Sequence, residues 1–210
     1  MDTLDKDALF SIAIELDLPS LLKLCVSNKN INNKICLKDA IWDYKLKEFP
    51  SYLNYDWNGK SKKEIYSILY NILVLKEKLG LKESIYEIYY LPEIDLNTKN
   101  IHEIPKEIKI LKNLQILNVS NNFIKIVPKE IGNLINLQVL DLSNNHIEIL
   151  PVAIGNLTKL KKFDLGSNRL KTVPKEIGNL INLDNLLLFS NKLEEIPKEI
   201  GIWKILEAYI

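Results

Sequence analysis

Several residue types that mark specialised protein classes are scarce in this chain of 210 residues. There is one arginine, Arg169, so the surface has little of the planar guanidinium that binds phosphates and carboxylates through two hydrogen bonds. Because 28 basic side chains nearly balance 27 acidic ones, the formal net charge is only +1. Neither feature favours binding to nucleic acid or to an anionic membrane surface.

Cysteine is also scarce. The two cysteines, Cys25 and Cys36, are too few for a secreted domain that depends on disulfides. The N-terminal segment is acidic where a signal peptide needs basic residues, and no apolar run approaches the ~20 residues of a membrane span. We therefore expect a cytoplasmic protein with reduced thiols, in which both cysteines act as small buried apolar residues.

The second half of the chain is a tandem repeat of 23 residues. Five blocks align without a gap from residues 91, 114, 137, 160 and 183, and a partial block covers 206–210. Apolar residues at positions 4 and 6 of the block predict a short strand with one buried face. Position 9 is Asn in the last four blocks and position 15 is always Pro. We expect a buried asparagine that bonds to neighbouring backbone, followed by a proline-led helical turn.

Across the blocks, the pattern L-x-x-L-x-L-x-x-N-x-L is followed by a proline-led segment that returns to the next strand. This arrangement resembles the leucine-rich repeat. The IPKEIGNL return is most similar to the intracellular Ras-group and Roco-type repeats. The resemblance implies an α/β solenoid of horseshoe form, with a parallel sheet on the concave face and short helical turns on the convex face.

Both ends of the array are expected to differ from its middle. Ile85 and Ile88, three residues apart, predict a helical cap within 81–90. At the other end, Trp203 stands where Leu is usual, and Leu206 and Tyr209 occupy strand positions. We expect an unpaired strand edge there, which is one route to a homo-oligomer.

Residues 1–80 lack the repeat and have helical periodicity. We divide them into a helical head, 1–50, and a linker with a capping helix, 51–80, ahead of the array at 81–210. A capping box formed by Ser61 and Glu64 predicts the start of the capping helix, and Gly80 predicts its end. This helix is expected to cover the first repeat.

The helical head resembles an F-box. The pattern lies in Leu4, Ile12, Leu21-Leu22, Cys25-Val26-Ser27 and Trp42, and departs from the family at Asp5 and Asn28. The resemblance implies binding to the adaptor subunit of a cullin-type ubiquitin ligase; the alternative is a head that only caps the solenoid. An F-box-like head fused to repeats in a chain with 30 Ile and 23 Asn also resembles proteins of giant DNA viruses (mimivirus-type). That origin implies the host cytoplasm.

The sequence contains no catalytic, cofactor or metal-binding constellation. Its two histidines, His102 and His146, lie two repeats apart, about 10 Å, which is too far to share a metal ion. The recurring Lys-Glu pairs at positions 16 and 17 are expected to be solvated charges on the convex side. We predict that the protein is not an enzyme and needs no cofactor.

Side chains between the buried leucines are predicted to form the partner-binding face. The predicted residues are Ile116, Asn118, Val139, Asp141, Lys162, Asp164, Leu187 and Phe189. Ile116 and Val139 make an aliphatic stripe beside the acidic Asp141 and Asp164, and Phe189 is apolar where the pattern expects a polar residue. An alternative is that Leu187 and Phe189 are covered by a second copy or by further sequence.

Three hypotheses for the function follow. The first is a protein-interaction module that binds a protein segment on its concave face, in its sharper form a substrate adaptor for a ubiquitin ligase. The second is a scaffold that binds a small GTPase or kinase through the repeats. The third is a structural protein that self-associates through the C-terminal edge.

Overall fold

The computed structural model describes residues 6–27 and 31–200. The chain divides between positions 73 and 74 into a helical unit and a repeat unit. Within the described ranges, every helix is too short or too polar to cross a membrane.

The helical unit consists of short helices around an aromatic core. Its α-helices are α1 (Lys6–Glu15), α2 (Leu18–Ser27) and α3 (Asp39–Leu46), with a π-helical turn at Asn32–Cys36, a 3-10 turn at Pro50–Asn54, and α4 (Lys62–Leu79), which continues into the repeat unit. Trp42 is buried and its indole N–H donates to the carbonyl of Cys36 at 2.9 Å. The Tyr66 ring lies 6.1 Å from that of Trp42 and 5.8 Å from that of Phe49.

The ends of α4 are confirmed. The Ser61 N–H donates to the Glu64 carboxylate at 2.9 Å, and the Glu64 N–H donates back to the Ser61 hydroxyl at 3.4 Å. The Ser61 hydroxyl also donates to the Glu64 carboxylate at 2.7 Å, and this bond, followed by that of the Ser61 N–H, lowers the pKa of Glu64. Gly80 follows the helix with φ of +63°, a conformation that glycine adopts without strain.

The prediction of reduced thiols is wrong, because Cys25 and Cys36 form a disulfide. The end of α2 packs beside the π-helical turn, so the two Cα atoms lie 5.9 Å apart, within the usual range for a disulfide. The burial prediction is confirmed, since the two residues are only 3% and 1% exposed.

The repeat unit begins with the predicted helical cap, α5 (Ile85–Tyr90), which has its own capping box between Ser84 and Glu87. Five parallel strands follow in sequence order: β1 (Glu93–Asp95), β2 (Ile116–Asn118), β3 (Val139–Asp141), β4 (Lys162–Asp164) and β5 (Asn185–Leu187). Each strand is followed by a 3-10 turn, at Lys106–Ile110, Lys129–Asn133, Val152–Asn156, Lys175–Asn179 and Lys198–Ile200. The fold is therefore a leucine-rich-repeat-type solenoid of parallel strands and short helical turns, preceded by helices.

The hydrogen bonds of the predicted asparagine column are confirmed, and so is its burial at Asn122, Asn145 and Asn168, whereas Asn191 is only half-buried. The side-chain amide of Asn145 donates to the carbonyls of Val119 at 3.0 Å and of Leu142 and Ser143 at 3.1 Å. Its oxygen accepts the N–H of Ile124 at 2.9 Å. Asn122, Asn168 and Asn191 make equivalent bonds, both to the preceding repeat and within their own repeat. Each asparagine thus satisfies backbone groups of two successive repeats.

A second column of asparagines, at position 23, was not predicted. The side chains of Asn113, Asn136 and Asn182 each donate to a backbone carbonyl of the preceding turn, those of Tyr89, Lys112 and Thr158. Lys159 takes this position in the third repeat and donates to the Asn136 oxygen at 2.7 Å. The recurrence of Asn at this position was visible in the sequence.

The backbone is left-handed at position 8 of every repeat, although none of these residues is glycine. The φ angles lie between +52° and +56° for Thr98, Asn121, Asn144, Ser167 and Ser190. Serine and threonine adopt this conformation less readily than asparagine does. The turn that follows each strand therefore carries a small backbone strain.

The interpretation of the Lys-Glu pairs as solvated is wrong at Glu107, which is only 7% exposed. The last turn of α4 lies against the first repeat, as predicted, and the Lys78 ammonium is 3.3 Å from the Glu107 carboxylate. At the other end, the outer side of β5 has no strand partner within residues 31–200. Trp203, Leu206 and Tyr209 lie outside the described residues, as do Leu4, Asp5 and Asn28 of the F-box-like pattern.

Candidate protein-interaction surface

The parallel register places equivalent residues side by side on the outer face of the sheet. Position 3 forms the column Glu93, Ile116, Val139, Lys162 and Asn185, and position 5 forms the column Asp95, Asn118, Asp141, Asp164 and Leu187. The residue between them in each strand is buried in the core. We call the side chains of positions 3, 5 and 7 the sheet face. It is the concave surface of a solenoid of this type.

The aliphatic stripe of the sheet face lies where the sequence placed it. Ile116 and Val139 are register partners on β2 and β3, and both side chains are half-buried. Because neighbouring strands are about 4.8 Å apart, the two side chains make one continuous apolar step. Lys162 continues the column on β4 and is exposed.

The position 5 side chains have a structural role that sequence reasoning missed. The Asp141 carboxylate accepts the N–H of Ser143 at 2.9 Å and its hydroxyl at 2.6 Å. Asn118 accepts the same two bonds from Ser120, and Asp164 accepts the Gly166 N–H at 2.8 Å. Since an amide oxygen serves here as well as a carboxylate, the turn needs an acceptor and not a negative charge.

The negative charges of Asp141 and Asp164 are therefore additional to what the fold needs. Neither carboxylate has a basic side chain within 4.0 Å among residues 31–200. Burial raises the pKa of Asp164, the Gly166 N–H opposes this, and the neighbouring charge of Asp141 raises it further. An uncompensated pair of carboxylates favours a cationic group in the bound partner.

Phe189 makes an intramolecular contact that the sequence did not predict, and its place in the partner-binding face stays a prediction. Its ring lies against the backbone of Gly166, where an added Cβ atom would be less than 3.0 Å from three ring atoms. Both Phe189 and Leu187 are half-buried. The glycine at position 7 of the fourth repeat, where two earlier repeats have serine, makes room for the ring. The sequence did not predict this contact because it joins residues of two neighbouring repeats.

The histidines lie away from the sheet face. The Phe123 ring is between them, 5.3 Å from the His102 ring and 5.9 Å from the His146 ring. Within the described part of the chain, no three His, Cys, Asp or Glu side chains are grouped so that they could hold a metal ion.

Two family models match the repeat unit. The one described as leucine rich repeat covers residues 90–147, and the one described as leucine-rich repeat region covers residues 121–208. The repeats are leucine-rich repeats. No match was found among curated proteins.

Solved structures of leucine-rich repeat proteins are similar to this chain. An internalin of Listeria monocytogenes has a TM-score of 0.52 at 22% identity, over 60% of this chain and 36% of that one. A leucine-rich repeat protein of Leptospira interrogans is 41% identical over 55% of this chain and 35% of that one, with a TM-score of 0.44. A chain of the BIR3–SERK2 complex of Arabidopsis thaliana is 30% identical over 53% of this chain and 64% of that one, with a TM-score of 0.48. This chain thus spans about a third of the length of the first two structures.

Proposed function

We propose that this leucine-rich repeat protein is a non-enzymatic interaction module whose sheet face binds a segment of another protein. Leucine-rich repeat domains generally mediate protein–protein interaction, and stacked repeats provide an extended concave surface for it. The observation that carries the proposal is the aliphatic step of Ile116 and Val139 beside the unpaired carboxylates of Asp141 and Asp164. The fold accepts Glu, Lys or Asn at position 3, and the turns need the acceptor oxygens of position 5 but not their negative charge.

The chemistry of this surface defines the partner. An aliphatic side chain fits the step formed by Ile116 and Val139, because apolar area on both sides is then removed from water. A lysine or arginine a few residues away in the same segment fits the two carboxylates. We therefore expect a bound segment that carries both apolar and basic side chains.

Comparative affinity capture tests this proposal. The full chain and two variants are used to capture proteins from lysate, and the proteins are identified by mass spectrometry. The sheet-face variant combines Ile116→Thr, Val139→Thr, Asp141→Asn and Asp164→Asn. It keeps the β-branched strand residues and the acceptors of the turns, as Asn118 does in the wild type.

The control variant removes charge on the convex side by Lys129→Gln and Lys175→Gln, both of which are exposed residues. We expect the control to retain the captured proteins and the sheet-face variant to lose them. Retention of the same proteins by the sheet-face variant would refute the proposal.

The finer proposal is that the helical unit binds the adaptor subunit of a cullin-type ubiquitin ligase, so that the repeats select a substrate. It is supported by the F-box-like pattern and by two of its residues, Val26 and Ile12, which are 88% and 39% exposed. Exposed apolar residues are what a protein interface uses. The cytoplasmic localisation and the viral origin stay predictions.

A pull-down with the purified adaptor subunit tests this role. Val26→Lys should abolish binding, whereas Val152→Lys, at an exposed valine of the repeat unit, should not. If the wild-type chain does not bind the subunit, the adaptor role is excluded.

A further inference from the structure

A second surface lies beside the sheet face, on the segment that follows each asparagine of the column. We call the side chains of repeat positions 10, 12 and 13 in the second to fifth repeats the lateral face. Its backbone is held in register, since the N–H of His146 donates to Ile124 and the N–H of Arg169 donates to Ile147, both at 2.9 Å. Ile126 and Ile149 form a parallel bridge.

Two isoleucines of the lateral face are exposed without a structural reason. Ile126 is 75% exposed and Ile149 is 76% exposed. The same position is Glu103, Thr172 and Glu195 in the other three repeats, so the fold accepts polar residues here. The two side chains line a cavity of about 460 Å³ together with Val127 and Pro151. An apolar cavity of this size accepts one or two aliphatic side chains.

A cationic cavity adjoins the apolar one. It has a volume of about 770 Å³ and shares Ile149 and Glu148 with the first cavity. Its basic side chains are Arg169, the only arginine of the chain, Lys171 and Lys192. None of the three has a carboxylate within 4.0 Å among residues 31–200, although Glu148 and Glu194 also line the cavity. The cavity lining therefore has an excess of positive charge.

We infer that the lateral face binds an acidic–aliphatic segment of another protein, with the aliphatic side chain at Ile126 and Ile149 and the carboxylates at Arg169, Lys171 and Lys192. From the second to the fifth repeat there are three strand spacings, about 14 Å, which an extended segment covers in about four residues. Charge complementarity selects acidic side chains, and the adjoining apolar cavity selects a peptide over a polyanion. This surface is independent of the sheet face, whose carboxylates favour a basic segment.

Fluorescence anisotropy with the full chain tests the inference. The probe is a labelled peptide, acetylated and amidated, of sequence Glu-Asp-Leu-Ile-Asp-Glu-Gly. Two comparison peptides replace its acidic residues by lysine or its aliphatic residues by serine. We expect both replacements to weaken binding at least about tenfold.

Two variants and two controls locate the site. Ile126→Thr with Ile149→Thr removes the aliphatic pair and keeps the residue type that Thr172 already has at this position. Arg169→Gln with Lys171→Gln removes two of the cations. Each variant should lower the affinity for the probe about tenfold. The variants Lys129→Gln with Lys175→Gln, and Asp141→Asn with Asp164→Asn, should leave its affinity unchanged.

Three results would overturn the inference. The first is that the probe does not bind the wild-type chain. The second is that it binds both lateral-face variants as tightly as the wild type. The third is that single-stranded DNA or phosphatidylserine vesicles bind instead of the probe, and that this binding is lost in the same variants. The last result would assign the face to polyanions. Because the variant Asp141→Asn with Asp164→Asn is a control here, the result does not depend on the proposed function of the sheet face.

Discussion

The helical unit and the repeat unit are stabilised in different ways. In the helical unit each contact occurs once: the Trp42 hydrogen bond, the Cys25–Cys36 disulfide, and the buried Lys45 ammonium, which donates to the carbonyl of Ile14 at 2.7 Å. In the repeat unit the same few contacts recur every 23 residues. We therefore expect a mutation in the helical unit to destabilise only its own surroundings, and a mutation in the repeat unit to destabilise the neighbouring repeats as well.

The largest effect is expected from Asn145→Ala in the middle of the array. The change removes four hydrogen bonds of a buried side chain and leaves backbone groups of two repeats unsatisfied. We expect the free energy of unfolding to fall by about 3–5 kcal/mol, measured by urea denaturation. Asn191→Ala, at a half-buried position, should cost less. Equal losses at both sites would show that the column does not gain strength from burial.

Removal of the disulfide should affect the helical unit alone. Cys25→Ala with Cys36→Ala opens a loop with a sequence separation of 11, for which the expected loss is about 2–3 kcal/mol. Amide hydrogen exchange by mass spectrometry should show lower protection in residues 6–46 and no change in residues 116–188. Dithiothreitol should have the same effect on the wild type. A loss of protection in the strands would contradict the comparison.

Gly155→Ala tests how closely successive repeats stack. A Cβ atom at Gly155 would lie 2.7 Å from the carbonyl oxygen of Glu176 in the next repeat. Overpacking of this kind costs about 1–3 kcal/mol, so the melting temperature should fall. Gly59→Ala in the helical unit is the spatial control, because nothing lies within 4 Å of its added Cβ; its φ of +73° leaves only the backbone cost. A smaller loss at Gly155 than at Gly59 would argue against close stacking.

The smallest expected effect is the pH dependence from Asp164. Its pKa is raised in the folded chain, chiefly by burial, so the folded state binds a proton at higher pH than the unfolded state does. This contribution to stability is full below the ordinary pKa and is lost as the pH rises through the raised value. Asp164→Asn should therefore flatten the stability profile on the acidic side of neutrality, measured by thermal melts at several pH values. An unchanged profile would show that burial has no effect on this carboxyl.

Periodicity explains which parts of the molecule could be predicted from sequence. Three features recur at fixed positions of the repeat: the strands, the proline-led turns and the asparagine column of Asn122, Asn145, Asn168 and Asn191. A prediction for one repeat therefore applied to all of them. The sheet-face columns followed from the same register. The disulfide could not be predicted in this way, because Cys25 and Cys36 meet through the packing of non-repeated helices.

Departures within the repeats were missed for related reasons. The burial of Glu107 depends on Lys78, which lies outside the array sequence. The position of the Phe189 ring depends on Gly166 in the repeat before it. The turn bonds of Asp141 and Asp164 were readable in principle, since Asx turns have a short-range pattern. The two residues were instead interpreted only as negative charges of the partner-binding face.

The central claim is that the sheet face, and not the convex side, contacts the partner. Hydroxyl-radical footprinting of the chain in complex with a captured protein tests it most directly, because the method reports side-chain accessibility. We predict protection of Ile116, Val139 and Phe189. We predict no protection of Val152, in the 3-10 turn of the third repeat, or of Ile181, which follows the 3-10 turn of the fourth; they are 66% and 73% exposed. Protection of Val152 and Ile181 with unchanged accessibility of Ile116 and Val139 would contradict the claim.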